Sequence, residues 1–593
     1  MKILGFSGFT HAMSFKRTHQ PGLDEREYRI SQGHDAAAAL VIDGVCVAAA
    51  AEERFNRRKH SAAFPIEAAT YCLEQAGINP EDLDEVVHGF DYAPFRQLYS
   101  LHPWSKQLYD EVFSRAVLLK QMHEHWPSLP EERLHHVSHH LAHAASACLT
   151  SGWDECLTVV MDGMGEAASA TGYSLADGKL NKLMEIAALD SIGNLYSTIT
   201  LHLGFDFNSD EYKIMGLAPY GDPARFRHYF TEAVELLDTG GFRIPALRLN
   251  RTREEREAYL ATRRHLSEHL LPAREPDSEI RQEHRDVAAA LQECLDRVIL
   301  HFCGTLGRQT GARRLAMAGG VALNCTANGR LRRAGAFDEI YVQPASGDDG
   351  TALGAALYRS WANGDVVNQR NPVPFWGPAH GPSAVDAAVQ EFAAEIHVTR
   401  FADLDDACAE AARQIAAGQV VAWFRGRMEF GPRALGHRSI LADPANPEMR
   451  DRINAMVKLR EAFRPFAPAV TAEQVHLYFD VPPGTVLPYM IVIENVRPEH
   501  RDTLPAITHV DGSARVQTVH AEDNHEFHTL IRAVGKLTGR EMVLNTSFNL
   551  KGQPIVNTPR EALETYLRSG MDCLFLENVF IQKRARLAAQ PLP

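Results

Sequence analysis

The chain has 593 residues, of which 45% are apolar and 23% are charged, and its formal net charge at pH 7 is −14. This length predicts two or more domains, and the acidic balance argues against a nucleic-acid-binding protein. We expect a cytoplasmic protein without a membrane partner, because no apolar run suits a signal peptide or a membrane span and the nine cysteines form no C-x-x-C pair.

Two segments share one pattern of strands and turns. The first joins "KILGFSG" at residues 2–8 to "GHDAAAALVIDGVCVAAAAEER" at residues 33–54, and the second is "CLTVVMDGMGEAASATGYSLADGKLNKLMEI" at residues 156–186. Each contains an apolar strand, a turn with Gly and Asp, a strand of small residues, an Asp-Gly turn and another strand. The pattern predicts two related halves whose tight loops face one cleft, although two unrelated hairpins would also fit.

Residues 9–32 interrupt the first hairpin with polar, turn-rich sequence. A segment of this kind is either an active-site loop or a tolerated surface insertion. The next segment, "FPIEAATYCLEQAGI" at residues 64–78, has apolar residues at helical spacing and a glycine near its end, so it predicts a helix. Residues 250–288 are charged and also helical in pattern.

The stretch "LHHVSHHLAHAASACL" at residues 134–149 contains five histidines. His139 and His143 are four residues apart, which on a helix places both imidazoles on one face and suits a metal ion. The pairs 135/139 and 136/140 have the same spacing, so spacing alone does not choose among them. A polar helix face without a metal is the alternative.

Two carboxylates are candidates to complete a metal site. Asp162 ends the apolar strand "CLTVVMD", and Asp348 lies at a strand-to-helix turn in "PASGDDGTALG". Mixed nitrogen and oxygen ligation suits iron, zinc or manganese. The sequence has no H-E-x-x-H motif, which argues against an ordinary zincin protease.

Glycine-rich turns accompany these candidates. "AMAGGVALN" and "SGDDGTALGAA" each lead from a strand into a helix, where backbone amides can approach a phosphate. Neither is a Walker A motif or a Rossmann fingerprint, and close packing of a helix on a sheet is the alternative. The candidate nucleotide-binding residues are Gly163, Gly165, Gly319, Gly320, Asn324 and Gly350.

The segment "NQRNPVPFWGPAHGP" at residues 368–382 is rich in Pro, Gly and Asn and predicts a domain boundary. We therefore expect one domain at residues 1–370 and a second α/β domain at residues 371–593. Strands of the second domain are predicted in "QVVAWFRG", "YMIVIENV", "MVLNTSF" and "CLFLENVFI".

The second domain also has a dense basic cluster with interleaved apolar residues. Arginine forks grip phosphate or carboxylate with two hydrogen bonds, and lysine adds a point charge. The pattern predicts an anion pocket, with a solvated basic face as the alternative. Its members are Arg425, Arg427, Arg433, Arg438, Lys458, Arg460, Arg464 and Arg515. "LNTSFN" at residues 544–549 ends a strand with hydroxyl and amide groups that can orient a polar substrate.

The motifs "GHDAAAALVIDG", "AAEERFNRRKH", "HHLAHAASA", "MDGMGE", "EYKIMGLAPYG", "AGGVALNC", "EFGPRALGHRSIL", "KLREAFRPFAP" and "LNTSFNLKGQPIV" together resemble the NodU/CmcH family of O-carbamoyltransferases almost from end to end. The resemblance implies an α/β protein with a duplicated N-terminal domain of the actin-like ATPase class and a YrdC-like C-terminal domain. It implies that the C-terminal domain makes carbamoyladenylate from carbamoyl phosphate and ATP. The N-terminal domain, with a bound metal, then carbamoylates a hydroxyl group.

The resemblance also implies roles for individual residues. The family's metal ligands fall on His139, His143, Asp162 and Asp348, with iron(II) or another divalent transition metal as cofactor and Mg²⁺ with ATP. The family's first-hairpin motif falls on His34 and Asp35, which would orient or deprotonate the acceptor. The residues that would hold carbamoyl phosphate and ATP are Arg433, Lys458, Arg460, Arg464, Arg515, Ser547 and Asn549.

The acceptor is expected to be a natural product or a sugar-like small molecule, and the 9–32 insertion is a departure from the family at the place where an acceptor would bind. A homodimer is compatible with the sequence. Two other functions are compatible with parts of it: a small-molecule kinase of the actin-like class, and a metal- and nucleotide-binding regulator without catalysis. The kinase does not explain the histidine pair or the basic second domain. Failure to release pyrophosphate from ATP with carbamoyl phosphate would favour the regulator.

Overall fold

The structure is a computed structural model of the chain, and it describes residues 1–367, 374–458, 461 and 463–584. The side chain of Lys458 lies outside this description. The chain divides into two compact units, Met1–Asn371 and Pro372–Pro593. This division lies one residue from the boundary that the sequence suggests.

The first half of the N-terminal unit is built on a five-stranded sheet with the order β3-β2-β1-β4-β5. Its strands are β1 (Lys2–Phe6), β2 (Ala37–Ile42), β3 (Val45–Ala51), β4 (Glu85–His88) and β5 (Leu134–His136). Its helices are α1 (Ala12–His19), α2 (Glu25–Tyr28), α3 (Glu53–Asn56), α4 (Ile66–Ala76), α5 (Arg96–Tyr99), α6 (Pro103–Leu108), α7 (Arg115–His125) and α8 (His139–Cys148).

The second half contains a five-stranded sheet with the order β12-β11-β6-β7-β8 and a small pair, β9 and β10. Its strands are β6 (Cys156–Met161), β7 (Ala168–Ala176), β8 (Lys179–Ala187), β9 (Glu235–Leu236), β10 (Phe242–Arg243), β11 (Arg314–Ala318) and β12 (Glu339–Val342). Its helices are α9 (Ile192–His202), α10 (Glu211–Leu217), α11 (Arg227–Ala233), α12 (Arg253–Ala258), α13 (Leu260–His269), α14 (Gln282–Thr310), α15 (Cys325–Arg333) and α16 (Asp349–Ala362).

The two five-stranded sheets have the same topology. β1 is antiparallel to β2 and parallel to β4, and β6 is likewise antiparallel to β7 and parallel to β11. The second turn of each half contains the predicted Asp-Gly pair, with Asp43 at φ 49° and Asp177 at φ 50°. Both halves therefore confirm the predicted duplication and the actin-like α/β class of this unit.

Helices α8 and α16 occupy equivalent places, because each follows the outermost parallel strand of its sheet. The two helices pack against each other. A side chain at Gly354 of α16 would begin 1.8 Å from the carbonyl oxygen of Ala142 on α8, so the approach requires glycine. This packing fixes the first turn of one helix relative to the first turn of the other.

The C-terminal unit is built on an eight-stranded sheet with the order β13-β22-β21-β14-β15-β20-β16-β19, and β17 pairs with β18. Its strands are β13 (Ile396–Arg400), β14 (Val421–Phe424), β15 (Arg438–Ala442), β16 (Ala467–Thr471), β17 (Ile493–Asn495), β18 (Ser513–Arg515), β19 (Gln517–Val519), β20 (Met542–Ser547), β21 (Cys573–Leu576) and β22 (Val579–Lys583). Its helices are α17 (Pro382–Glu391), α18 (Leu404–Ala416), α19 (Met449–Ile453), α20 (Val475–Tyr478), α21 (Pro498–Arg501), α22 (His525–Thr538) and α23 (Pro559–Leu567).

This large sheet is buried on both faces. Val421 and Trp423 of β14 belong to one hydrophobic cluster, whereas Ala422 and Phe424 belong to another. Continuous burial explains why the central strands β14 and β21 are apolar throughout and do not alternate with polar residues, whereas the edge strand β13 is mostly exposed. Of the helices that the structure describes, none is both long enough and apolar enough to cross a membrane.

Several local predictions are confirmed, and some need correction. Helix α4 ends before Gly77 as predicted, and β14 and β20 form within the predicted strands. The segment "CLFLENVFI" forms two strands instead of one, because Glu577 takes a left-handed conformation with φ 51° and turns the chain. Only residues 493–495 of "YMIVIENV" form a strand, and the 250–288 segment is interrupted between α13 and α14.

Candidate active site

Two histidines of α8 bring their ring nitrogens together in the N-terminal unit. Nε2 of His139 and Nε2 of His143 are 3.1 Å apart, and both side chains are fully buried. His135 and His136 lie on β5, so neither takes part in a helical pair. His140 is directed elsewhere, with its Nδ1 2.7 Å from a threonine hydroxyl of β7. The structure thus distinguishes the 139/143 pair from the other pairs with the same spacing.

Two carboxylates complete the cluster. Asp162 follows β6, and its Oδ2 is 3.1 Å from Nε2 of His139 and 3.9 Å from Nε2 of His143. Asp348 caps the start of α16, and its Oδ1 is 3.4 Å and 3.9 Å from the same two nitrogens. The four potential ligand atoms all lie within 4.8 Å of one another. The predicted residues are therefore brought together as one cluster.

Neighbouring backbone groups orient these ligand atoms. Nδ1 of His139 is 3.2 Å from the carbonyl oxygen of Gly89, so Nδ1 carries the proton and the lone pair of Nε2 faces the cluster. Oδ1 of Asp162 accepts a hydrogen bond of 2.9 Å from the amide of Gly320, which leaves Oδ2 for the cluster. When neither Nε2 carries a proton, the lone pairs of both imidazoles and both carboxylates converge, an arrangement that fits a bound cation.

The protonation of each histidine and carboxylate in the cluster depends on the charges of the others. Burial by itself lowers the pKa of His139, but the carboxylates of Asp348 and Asp162 raise it to about 10. Burial lowers the pKa of His143 far below its usual value, and it raises the pKa of Asp348 to about 6. One positive charge is therefore favoured at this position. Either a proton or a metal ion can supply it, and the donor set of two imidazoles and two carboxylates suits a transition metal.

Glu166 supports the cluster and was not identified from the sequence. Its Oε1 accepts hydrogen bonds from the amides of His139, at 2.9 Å, and Asp91, at 2.7 Å. A carboxylate at the first turn of α8 satisfies an amide that has no partner within the helix and interacts favourably with the helix dipole. The ring of Phe90 stacks on His139 with the centroids 3.9 Å apart. The sequence signal was the Glu of "GMGE", which lies four residues after Asp162.

The glycine-rich turns lie beside the cluster, but several of their amides have partners within the protein. The amide of Gly165 donates to Ala168, and that of Gly350 donates to Gly347. A side chain at Gly319 would begin 2.2 Å from the carbonyl oxygen of Met161, so this turn requires glycine for close packing. Asn324 accepts a hydrogen bond from Ala327 at the start of α15, and Gly163 accepts one through its carbonyl from Ser191. Their contact with a nucleotide stays a prediction.

The predicted pair His34 and Asp35 separates into two environments. Nε2 of His34 is 3.0 Å from Ser31 Oγ and 3.2 Å from the carbonyl oxygen of Arg29. Oδ1 of Asp35 is 2.8 Å from Nδ1 of His60, a residue that sequence reasoning missed. The signal for His60 was the end of "AAEERFNRRKH", where the Lys-His pair follows a run of charged residues.

The 9–32 segment is packed into the unit, and it contacts the loop after Asp162. Lys16 on α1 is buried, and its Nζ donates to carbonyl oxygens of Glu27, Ile30 and Glu257 at 3.0, 2.6 and 2.7 Å. Nε2 of Gln32 donates to the carbonyl oxygen of Gly165 at 2.8 Å. The segment therefore adjoins the loop that carries Glu166, as expected for an active-site loop.

In the C-terminal unit, the loop between β14 and β15 presents Arg433. Glu429 in this loop is buried, and its Oε1 accepts hydrogen bonds of 2.8 Å from the amides of Leu435 and His437. Gln517 in β19 donates to the carbonyl oxygen of Leu435 at 2.9 Å. The loop is therefore held by an internal carboxylate and tied to the sheet. Sequence reasoning did not identify the role of Glu429.

Two arginines predicted in the anion pocket have structural partners instead. Arg438 is fully buried and donates to backbone carbonyl oxygens, including those of Arg425 and Gly426, and its guanidinium lies 3.6 Å from the ring centroid of Phe424. Arg425 donates to the carboxylate of Glu526 at 3.0 and 3.3 Å. The prediction that these two arginines face an anion is wrong, because internal acceptors occupy their donors.

Arg427 likewise has structural partners, because it donates to the backbone carbonyl oxygens of Trp376 and Gly377 at 2.6 and 3.2 Å.

The other predicted residues of this unit are placed as follows. Ser547 ends β20 and donates to Oδ1 of Asn549 at 2.7 Å, Arg515 ends β18, and Arg464 lies 3.7 Å from the carboxylate of Glu461. Asn545 of β20 donates at 3.3 Å to the carbonyl oxygen of Ala434, which follows Arg433. The Arg433 loop and the strand of Ser547 are thus neighbours. Arg460 and the side chain of Lys458 lie outside the described residues.

Comparison with known families gives two matches. A model described as carbamoyltransferase N-terminus matches residues 28–357, and one described as carbamoyltransferase C-terminus matches residues 412–583. Together the two matches cover more than half of the chain. Most of the 9–32 segment precedes the first match.

Individual relatives extend over both units. Nodulation protein NolNO of Sinorhizobium fredii is 40% identical over 592 residues, which cover 98% of this chain and 83% of that protein. Uncharacterized protein sll1178 of Synechocystis sp. is 39% identical over 599 residues, which cover 93% of this chain and 96% of that protein. Among solved structures, HypF of T. kodakarensis has a TM-score of 0.31 at 13% identity, and the match covers 61% of this chain and 48% of that one.

Proposed function

The chain belongs to the carbamoyltransferase family, and we propose that it moves a carbamoyl group from carbamoyl phosphate to a hydroxyl group of a natural-product or sugar-like small molecule. In the C-terminal unit, ATP, carbamoyl phosphate and water give carbamoyladenylate, pyrophosphate and phosphate. In the N-terminal unit, the acceptor hydroxyl takes the carbamoyl group and AMP is released. The mixed anhydride is needed because a carbamoyl group is a poor electrophile until it is joined to a good leaving group.

The observation that carries this proposal is the closed cluster of His139, His143, Asp162 and Asp348 in the N-terminal unit. Its converging lone pairs fit a divalent transition metal, with iron(II) as the first candidate, and these four residues would hold it. Such an ion acts as a Lewis acid on a carbamoyl oxygen or holds nucleotide phosphates. The burial of both imidazoles also excludes water, which would otherwise hydrolyse a carbamoyl anhydride.

The C-terminal unit supplies cationic and polar groups for the first step. In the proposal Arg433, Lys458, Arg460, Arg464 and Arg515 hold the phosphates of carbamoyl phosphate and ATP, with Mg²⁺ accompanying the ATP. Ser547 and Asn549 orient the carbamoyl group through hydroxyl and amide hydrogen bonds. Glu429 contributes indirectly, because its hydrogen bonds fix the shape of the loop that presents Arg433.

Pyrophosphate release tests this division of labour. Wild-type protein incubated with ATP is expected to release pyrophosphate only when carbamoyl phosphate is present. Lys458→Ala removes a positive charge that the proposal assigns to phosphate binding and should slow this release on the order of a hundredfold or more. The matched control Lys536→Ala, at an exposed position of α22, should leave the rate unchanged. Chemically prepared carbamoyladenylate should partly restore transfer in Lys458→Ala, because the N-terminal unit is intact.

The products separate this proposal from its alternatives. A carbamoyltransferase of this kind gives AMP, pyrophosphate and a carbamate, whereas a kinase gives ADP and a phosphorylated acceptor. A non-catalytic regulator gives neither. ADP formation, or the absence of any carbamoyl-phosphate-dependent pyrophosphate release, would overturn the proposed reaction.

A further inference from the structure

In the N-terminal unit, the side chains of Asp35 and His60 are in direct contact. Oδ1 of Asp35 and Nδ1 of His60 are 2.8 Å apart. Both residues are in the left-handed region, with φ 57° at Asp35 and φ 56° at His60. Left-handed backbone at residues other than glycine is unfavourable and persists where the surrounding structure holds it, often at functional sites. Two such residues in direct contact indicate a deliberately held arrangement.

Surrounding groups hold His60 in this conformation. Its amide donates to Oε2 of Glu53 at 2.8 Å, and Glu53 pairs with Arg54 at 2.6 Å. The next residue, Ser61, accepts a hydrogen bond of 2.8 Å from the amide of Ala36. The short segment around His60 is therefore pinned to α3 on one side and to the start of β2 on the other.

The contact with Asp35 determines which ring nitrogen of His60 can accept a proton. A carboxylate accepts the hydrogen of Nδ1, which leaves the lone pair on Nε2. Within the described residues, Nε2 of His60 has no hydrogen-bond partner, an unfavourable state for a buried ring nitrogen unless a ligand supplies one. His88 and His202 also have one buried ring nitrogen without a partner among the described residues. Their other ring nitrogen faces a backbone carbonyl oxygen, whereas that of His60 faces a carboxylate. A histidine held by a carboxylate is a stronger base than one held by a carbonyl group.

His34, the histidine that the sequence motif suggests, is less suited to this task. Its Nε2 is already within hydrogen-bond distance of Ser31 Oγ and the carbonyl oxygen of Arg29. The charge of Asp35 also acts on Asp348, a member of the metal-type cluster formed by His139, His143, Asp162 and Asp348. Burial is the main reason for the raised pKa of Asp348, and the charge of Asp35 raises it further.

We infer that His60 is the general base for the acceptor hydroxyl and that Asp35 positions its ring, an inference that rests on the proposed function. As the hydroxyl oxygen bonds to the carbamoyl carbon of carbamoyladenylate, its proton passes to Nε2 of His60. The bond between the carbamoyl carbon and the phosphate oxygen breaks, and the electron pair leaves with AMP. The proton then passes from His60 to solvent, so the ring is regenerated.

The test uses the full-length protein with ATP and carbamoyl phosphate, and two probe alcohols, ethanol and 2,2,2-trifluoroethanol, with water as the competing acceptor. His60→Asn suits the left-handed backbone, because Asn tolerates that region. Carbamate esters are measured by mass spectrometry, AMP formed by hydrolysis reports on water, and pyrophosphate release reports on the first step. His228→Gln, at an exposed position of α11, is the matched control, and His34→Gln tests the alternative base.

His60→Asn should lower ester formation with the alcohols on the order of a hundredfold, and AMP formation by a similar factor where water is the acceptor. Pyrophosphate release should stay within about threefold of wild type. The loss should be smaller with trifluoroethanol, because this stronger acid needs less help to lose its proton. Imidazole added to His60→Gly should restore part of the transfer. His228→Gln should keep wild-type transfer within about threefold, and His34→Gln should lose less transfer than His60→Asn, since the proton passes to His60.

Unchanged transfer in His60→Asn would overturn the inference. So would equal losses of transfer with both alcohols combined with no rescue by imidazole. A hundredfold loss of transfer in His34→Gln, and not in His60→Asn, would also overturn it. Retained metal content in His60→Asn shows that the neighbouring cluster is intact. If wild type releases no pyrophosphate with carbamoyl phosphate, the proposed function fails first, and the proton-transfer step fails with it because no carbamoyladenylate is made.

Discussion

The two halves of the N-terminal unit are built on the same sheet, but the loops at their equivalent hairpins differ. In the second half, residues 162–167 connect β6 to β7, and Asp162 comes directly after the strand. In the first half, residues 7–36 connect β1 to β2, and Asp35 comes at the far end of a long insertion. The short loop places a carboxylate in the metal-type cluster. The long loop places one beside His60.

Helices α8 and α16, which occupy equivalent places in the two halves, contribute to the same site. His139 lies in the first turn of α8, and Asp348 caps the first turn of α16. Because the two helices pack together, both residues reach the same cluster. The duplicated framework therefore builds one shared site from both halves, whereas the hairpin loops have separate tasks.

The largest expected effect comes from removing a ligand that the first half gives to the shared site. Purified protein should carry about one transition metal per chain by elemental analysis, and His143→Ala should lose most of it. A ligand lost from the donor set should weaken metal binding more than the 10–100-fold typical of changes around a ligand. Transfer should fall on the order of a hundredfold, with pyrophosphate release largely intact.

His140→Ala is the control for this change, because His140 is on the same helix and directed away from the cluster. It should keep its metal. Full metal content in the double variant His139→Ala/His143→Ala would mean that the ligand set is wrong. Equal metal loss in His140→Ala would mean that the helix, not the ligand pair, decides the metal content.

A smaller effect is expected where the first half differs most from the second, in the 9–32 segment. Lys16→Met removes three hydrogen bonds from a buried ammonium group to carbonyl oxygens, and these oxygens would lose their partner. We expect the segment to open more easily by about 2 kcal/mol, which is about thirtyfold in the hydrogen-exchange rate of its amides. Exchange followed by mass spectrometry measures this.

The exposed Lys106 pairs with Asp110 across one turn of helix, so Lys106→Met should change exchange by less than about twofold. Unchanged exchange of residues 9–32 in Lys16→Met would mean that the buried lysine does not hold the segment in place. Slower acceptor transfer in Lys16→Met, with normal pyrophosphate release, would connect the insertion to acceptor binding.

Much of the fold follows from local pattern. The Asp-Gly turns, the strands of small residues and the glycine after α4 each have a short-range physical cause, so the duplicated hairpins and the helix were predictable. The hairpin between β21 and β22 was not, because its turn consists of Glu577 and a following asparagine without glycine. A left-handed glutamate has no reliable sequence signal.

The site was predictable where the ligands come from strand ends and helix starts. Asp162 and Asp348 are at such places, and the topology brings them to the histidine pair. His60 and Glu429 were missed, because each acts through a contact with a residue elsewhere in a folded loop. Arg438 was misjudged for the same reason, since only the structure shows that backbone carbonyl oxygens occupy its guanidinium.

The smallest expected effect concerns the pair that distinguishes the first hairpin loop. Burial by itself lowers the pKa of His60, but Asp35 raises it above its usual value. Burial raises the pKa of Asp35, but His60 lowers it to about 2. The raised imidazole pKa stabilises the fold fully below about pH 6.5 and loses this effect as the pH rises through the folded value. The lowered carboxyl pKa stabilises the fold above about pH 4 and loses this effect as the pH falls towards 2.

Both contributions of the pair are therefore complete between about pH 4 and 6.5. Asp35→Asn should speed exchange of the His60 amide about twofold relative to wild type at pH 5.5, and by less at pH 8.5. The effect is small because 35% of the Asp35 side chain and 21% of the His60 side chain are exposed, and solvent screens the charges. Comparing the two proteins at each pH cancels the intrinsic pH dependence of exchange. Lys59, Glu53 and His34 also act on the pair. A larger difference in exchange rate between the two proteins at pH 8.5 than at pH 5.5 would contradict an ion pair. It would indicate a hydrogen bond between Asp35 and neutral imidazole instead.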